Sequence, residues 1–177
     1  MKVAKLDYEH LSERYIWLNH PDVFKHMNIS YPITMTDINS WYNRVVNNTN
    51  RIDLVFIEND EIVSMTGLTN IDLENGLIEF YIMVNPFHQG KGFGLKSTEY
   101  TINYCFANYN IRKIYLYTNS LNNRANNLYL KLGFKHEGTL RKHKFKNGEY
   151  LDRNIFGLLK EDWKNQKYFN VNINLNI

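Results

Sequence analysis

Residues 77–94 read LIEFYIMVNPFHQGKGFG: eight residues of strand character, a Pro-bearing bend, then glycines at the alternate positions Gly90, Gly92 and Gly94. Behind them Leu95, Thr98, Ile102, Cys105, Phe106 and Tyr109 follow three- and four-residue spacing, which predicts a helix burying one stripe. In a strand–glycine loop–helix unit, bare backbone N–H groups at the helix start face an anion, with the positive end of the helix dipole behind them. Glycine lets the backbone approach closely. On these residues alone the loop reads either as a phosphate or pyrophosphate cradle or as a plain connecting turn.

Upstream, Asp53–Ile57, Ile62–Ile71 and Leu77–Val84 are apolar runs separated by the polar turns Glu58-Asn59-Asp60 and Glu74-Asn75-Gly76, which predicts an antiparallel meander. Before it come a short strand over Val3–Leu6, helical spacing from His10 to about Asn19 and from Val23 to Met27, and a helix opened by Thr36-Asp37. Downstream, Lys113–Thr118 is a β-branched and aromatic strand. A helix from about Asn123 to Leu132 stops at Gly133, and a closing hairpin turns at Asn147-Gly148. The expected fold is α+β: a central, mostly antiparallel twisted sheet flanked by about four helices. One domain is expected over residues 1–164. The tail, residues 165–177, alternates from Val171 to Ile177 and is expected to be an edge strand or a disordered end.

The chain has 177 residues, 44% of them hydrophobic and 15% aromatic, enough for one sizeable core and not the profile of a disordered chain. A net charge of +3 without a long basic run argues against a nucleic-acid partner. The single cysteine, Cys105, excludes an internal disulfide framework. The six histidines show no metal-ligand spacing, and no metal is expected. No signal-like or membrane-length apolar run is present, so the expected location is cytoplasmic, with no membrane partner.

Three phosphate-binding patterns compete for the loop. The Walker pattern fails because Leu95 stands where its last glycine belongs, before Lys96 and Ser97. The dinucleotide pattern fails at the same residue and lacks the preceding βαβ unit. The third, Gln-x-x-Gly-x-Gly, is met by Gln89, Gly92 and Gly94. A second block, Asn122-x-x-Ala125-x-x-Leu128-Tyr129-x-Lys131-Leu132-Gly133-Phe134, follows downstream. With both blocks and this order of elements, the chain resembles the GCN5-related N-acetyltransferase (GNAT) superfamily from Val3 to Trp163. Its ending, Gly138-x-x-Arg141 through Asn147-Gly148-x-Tyr150-x-Asp152 to Asp162-Trp163, is similar to the ribosomal-protein-alanine (Rim-type) branch, which shades into spermidine and amino-sugar acetyltransferases.

The resemblance implies an enzyme that moves the acetyl group of acetyl-CoA to a primary amine by direct attack in a ternary complex. It implies cofactor contacts from Met83, Val84, Gln89, Gly90, Lys91, Gly92, Phe93, Gly94 and Asn122, with the pantetheine arm in a splay beside the strand ending at Val84. Cys105 sits on the apolar stripe and reads as a core residue, not a nucleophile. Tyr129 is the expected general acid, because a phenol of pKa about 10 stays protonated at neutral pH and can donate to a departing thiolate. Glu79 interrupts an apolar strand and is the candidate base, or else a structural or orienting carboxylate.

Trp17, Tyr31, Trp41 and Asp152 are the candidate acceptor residues, on the early helices and the final hairpin. A small-molecule acceptor is expected, an amino sugar or a polyamine among the options. Asp7, Glu9, Glu13, Asp22 and Asp37 are scattered among basic residues, not clustered as a polycation would require, so spermidine is not favoured. His20, Lys25 and His26 could instead serve a nucleotide-linked amino sugar. The alternatives are N-terminal acetylation of a ribosomal protein or peptide and, in another class, a non-catalytic CoA-binding or assembly module. A homodimer is a further option left open by the alternating tail.

Overall fold

In a computed structural model of the protein, which describes residues 1–27, 29 and 31–163, seven strands form one sheet. They are β1 (Lys2–Lys5), β2 (Ile52–Glu58), β3 (Glu61–Asp72), β4 (Leu77–Val84), β5 (Lys113–Asn119), β6 (Lys135–Lys146) and β7 (Glu149–Leu159). Their order is β1-β2-β3-β4-β5-β7-β6, antiparallel throughout except where β4 meets β5. The helices are α1 (Leu11–Leu18), α2 (Pro21–Phe24), α3 (Met35–Val45), α4 (Phe93–Asn108) and α5 (Asn123–Lys131). The expected α+β sheet is present, with five helices where about four were expected. The added break lies between α1 and α2, where Pro21 has no N–H to continue a helix and the His20 ring accepts from the Asp22 amide to start a new one. The alternating tail, residues 165–177, falls outside the described residues.

Local chemistry sets the element ends. The N-cap of α3 lies two residues before Thr36, where the helix was expected to open. Thr34 is the N-cap, the Asp37 amide donates to its Oγ1 at 3.1 Å, and the Asp37 carboxylate accepts from the Thr34 amide at 2.8 Å. Asp37 is thus the third-residue partner of a capping box, not the cap itself. Asn147 and Gly148 both hold positive φ, 51° and 84°, as the two-residue hairpin turn between β6 and β7 requires.

The sheet separates two apolar layers. On one face α4 and α5 bury Ile102, Phe106 and Tyr129 against Ile78, Phe80 and Ile114. Two buried hydroxyl pairs, Ser64–Ser97 at 2.5 Å and Thr66–Thr101 at 2.8 Å, join α4 to β3. On the other face Leu11, Trp17 and Ile38 of α1 and α3 pack with Val55, Met65 and Met83. Trp17 is fully buried in this second layer, so its assignment to the acceptor site is corrected: its indole is core.

The feature that positions a site is the join of β4 and β5. They pair in parallel only at Leu77, Ile78 and Glu79, opposite Lys113, Ile114 and Tyr115. Beyond that β4 stays with β3 to Val84 while β5 stays with β7 to Asn119, and the two halves of the twisted sheet part.

Candidate active site

The parting of β4 and β5 opens a cleft of about 710 Å³, floored by Phe80–Val84 on one side and Tyr117–Asn119 on the other. Along residues 80–84 the β5-facing edge of β4 has no ladder partner in the sheet, so its N–H and C=O groups are available to amides of an inserted chain. At the mouth lies the glycine loop. Gly92 is the N-cap of α4 with φ 82° and supplies no side-chain cap, which leaves the first-turn N–H groups facing the cleft. Gly90 has φ 84°, and a Cβ at either glycine would meet nothing within 4 Å, so the loop backbone is bare to an incoming anion. Gly94 serves packing instead. A Cβ there would lie 3.3 Å from Val84 Cγ2, so glycine lets the helix start dock against the cleft strand.

Of the expected cofactor contacts, Met83, Val84, Gln89, Gly90, Gly92, Phe93, Gly94 and Asn122 all line the cleft. Lys91 does not. Its ammonium sits 3.0 Å from His88 Nδ1, and the other nitrogen of that ring lies 2.9 Å from the Glu61 carboxylate. Asn122 caps α5 by accepting from the Ala125 amide at 3.2 Å, so its NH2 group is the part left for a ligand. A cation beside the loop is Arg124, which sequence reasoning does not single out; it lines the cleft and donates to the Gln89 Oε1. Its one signal is its place just before Ala125, in the first turn of the helix facing the loop.

Tyr129 lines the cleft from α5, with its ring against Phe80, Phe134 and Phe156. Burial pushes its phenol above the ordinary value of 10, so the group enters any reaction as a proton donor. Cys105 is fully buried on α4, and burial pushes its thiol up to about 12, which leaves it no thiolate character at neutral pH.

Glu79 points to the opposite face of β4 from Phe80 and lies outside the main cleft. It walls an adjoining pocket of about 240 Å³ that shares Phe80, Tyr81, Tyr117 and Asn119 with the cleft. Its carboxylate accepts from Asn70 Nδ2 at 2.6 Å. Asp152 also borders this pocket, and its carboxylate accepts from the Lys142 amide at 2.7 Å, pinning a bulge in β6 where Lys142 has φ 50°. Two expected acceptor residues lie away from both cavities. Tyr31 is exposed and stacked on Phe24 with ring centroids 4.2 Å apart, bordering neither cavity. Trp41 lies beneath the guanidinium of the buried Arg14, 4.0 Å from ring centre to Cζ, and also borders neither. Tyr81 and Arg153, which sequence reasoning does not single out, do border the pocket. Lys146 also lines it and donates to the carbonyl oxygens of Phe24 and Met27, tying the hairpin to α2.

Among the described residues no group of three or more His, Cys, Asp or Glu is placed to hold a metal ion, and no helix is long and apolar enough to cross a membrane. Residues 2–135 match the family model for the acetyltransferase (GNAT) domain. An uncharacterised N-acetyltransferase of Bacillus licheniformis is 28% identical over 171 residues, 92% of this chain and 94% of that protein. A spermidine N(1)-acetyltransferase of Vibrio cholerae is 30% identical over 131 residues, 73% of this chain and 76% of its own length. Among solved structures, the Vibrio cholerae spermidine N-acetyltransferase in complex with CoA and spermine superposes with a TM-score of 0.85 at 25% identity, covering 91% of this chain and 96% of that one.

Proposed function

The chain belongs to the GNAT acetyltransferase family, whose enzymes use acetyl-CoA, and on that premise we propose that its cleft binds acetyl-CoA while the adjoining pocket binds the primary amine of a small molecule. The observation that carries the reading is the strand parting that ends at the uncapped start of α4: an unpaired strand edge leads from a bare anion cradle to a buried phenol. When bound, acetyl-CoA supplies a thioester acetyl group and a thiolate leaving group.

The chain's own residues bind, orient and move protons. Backbone N–H groups of Gly92–Gly94 and the Arg124 guanidinium hold the pyrophosphate. The free edge of Phe80–Val84 takes the arm as a third strand would be taken, and an N–H near Val84 polarises the acetyl carbonyl. Tyr129, kept neutral by burial, gives its proton to the leaving sulfur. Glu79, in the pocket wall, draws in the ammonium of the acceptor and receives its proton through solvent, leaving the amine neutral for attack. No acyl-enzyme is required, because the one thiol is buried and protonated.

The pocket's volume of about 240 Å³ favours a small acceptor over a polypeptide N-terminus. Isothermal titration with acetyl-CoA, and with ATP and NAD for comparison, tests the assignment. Acetyl-CoA alone should bind, and Gly92→Val should weaken binding at least about tenfold, because a β-branched residue is strained at φ 82° and crowds the cradle. Preference for ATP or NAD would overturn the reading.

A further inference from the structure

The charge around the acceptor pocket does not suit a polycation. Its described lining carries four basic side chains, Lys25, Lys144, Lys146 and Arg153, against two carboxylates, Glu79 and Asp152. Each carboxylate takes a neutral hydrogen-bond donor, so both are fixed in place and keep their charge. Asp152 is turned to the Lys142 amide, and Glu79 is held by Asn70 Nδ2 within electrostatic range of Arg153. The cations outnumber them. Lys25 pairs with Asp22 at 2.6 Å, but Lys146 is held by neutral carbonyl oxygens that leave its charge uncancelled. Arg153 lies over the Tyr117 ring, 4.4 Å from its centre, fixed in orientation by a face that carries no net charge.

The hairpin register gathers these groups on one side. Lys144 pairs with Leu151, and residues two apart share a face, so Lys144, Lys146, Leu151 and Arg153 all project toward the pocket. The bulge pinned by Asp152 falls between Leu140 and Lys144 and sets where this face begins. A volume of about 240 Å³ holds a metabolite-sized molecule.

We infer that the acceptor is a small molecule bearing both a primary amine and an anionic group, the amine facing Glu79 and a carboxylate or phosphate facing Lys144 and Arg153. The inference rests on the acetyltransferase reading and narrows its substrate class. A polyamine would bring two or more ammonium groups to a wall with a single carboxylate, Glu79, placed to meet one of them, and cations on the other side. This chain is thereby set apart from the spermidine acetyltransferases it resembles.

Matched amines that differ only in the anion decide the matter: O-phosphoethanolamine against ethanolamine for phosphate, alanine against alaninamide for carboxylate, with spermidine as the polycation. Thiol release from acetyl-CoA should show kcat/KM at least about tenfold higher for the anionic member of one pair, and that pair identifies the anion. Lys144→Ala should raise KM for the anionic member about tenfold and leave its neutral twin unchanged, a split that general loss of structure would not give. The same amines titrated into the protein, free and loaded with CoA, read binding without turnover. Equal use or binding within both pairs, no binding of either anionic member, or preference for spermidine would overturn the inference. Failure of acetyl-CoA itself to bind would instead count against the acetyltransferase reading, and the titration of the free protein would still decide the pocket.

Discussion

Gly67 on β3 and Tyr81 on β4 are register partners, and the Tyr81 ring fills the space of a side chain at 67: a Cβ there would lie 1.8 Å from Tyr81 Cε1. The ring is held from its far end, where the hydroxyl donates to Asp53 and accepts from Arg51 Nη2 at 3.1 Å. Tyr81 borders both the cleft and the acceptor pocket, so its position links the two. Gly67→Ala must displace the ring and is expected to cost about 1–3 kcal/mol of stability, as overpacking does. It should also lower kcat/KM at least about tenfold. Gly138→Ala is the control, because a Cβ there meets nothing within 4 Å. Denaturant melts and steady-state assays of both variants check this, and wild-type behaviour of Gly67→Ala would show that the ring has room to move.

Tyr129→Phe keeps the ring packed against Phe80, Phe134 and Phe156 and removes only the hydroxyl. The expected result is a fall in kcat of about 10²–10⁴-fold, the usual contribution of a positioned acid, with acetyl-CoA affinity held within about threefold. Since burial holds the phenol neutral past its ordinary value of 10, the wild-type rate should show no loss from Tyr129 ionisation below that pH. A kcat within about twofold of wild type would remove Tyr129 from the proton path.

The sheet and the glycine loop are legible in the sequence because their signals are local. Asn147-Gly148 needs only two residues at positive φ, and Gln89, Gly92 and Gly94 stand in one short run. The acceptor side is not legible, because it is assembled from distant segments. Lys146 reaches Phe24 and Met27 more than a hundred residues back, and Asp152 folds onto Lys142 across a hairpin. Trp17 misleads for a related reason: an aromatic on a helical stripe has the same spacing in a core as in a pocket. Loop position does not fix side-chain direction either, and Lys91 meets the His88 ring instead of lining the cleft.

His26 borders the acceptor pocket, and its imidazole is held below the ordinary 6.5, first by burial and then by the neighbouring Lys25 and Lys146, with Asp22 opposing weakly. The folded state therefore resists a proton that the unfolded chain accepts. Above about pH 6.5 neither state carries that proton and the fold is unaffected. As pH falls below 6.5 the unfolded chain protonates first, so stability declines until the folded-state value is passed. His26→Asn should flatten the acid side of a plot of Tm against pH below about pH 6.5, without changing Tm at pH 8 by more than a few degrees. An unchanged acid slope in the variant would assign the dependence to other groups.

Cys105 tests whether transfer is direct. The thiol is fully buried in the stripe that α4 presents to the sheet, and burial pushes it up to about 12, so at neutral pH it is neither nucleophilic nor reachable. Native protein should therefore resist iodoacetamide over the time in which unfolded protein is fully alkylated. Incubation with acetyl-labelled acetyl-CoA, with no amine present, should leave no label on the denatured chain. Cys105→Ala loses a buried sulfur, for which about 1 kcal/mol of stability is expected, while kcat should stay within about threefold of wild type. Label retained on Cys105, or a kcat reduced a hundredfold in a variant that still melts cooperatively, would mean that the acetyl group passes through the protein and that the ternary-complex route is wrong.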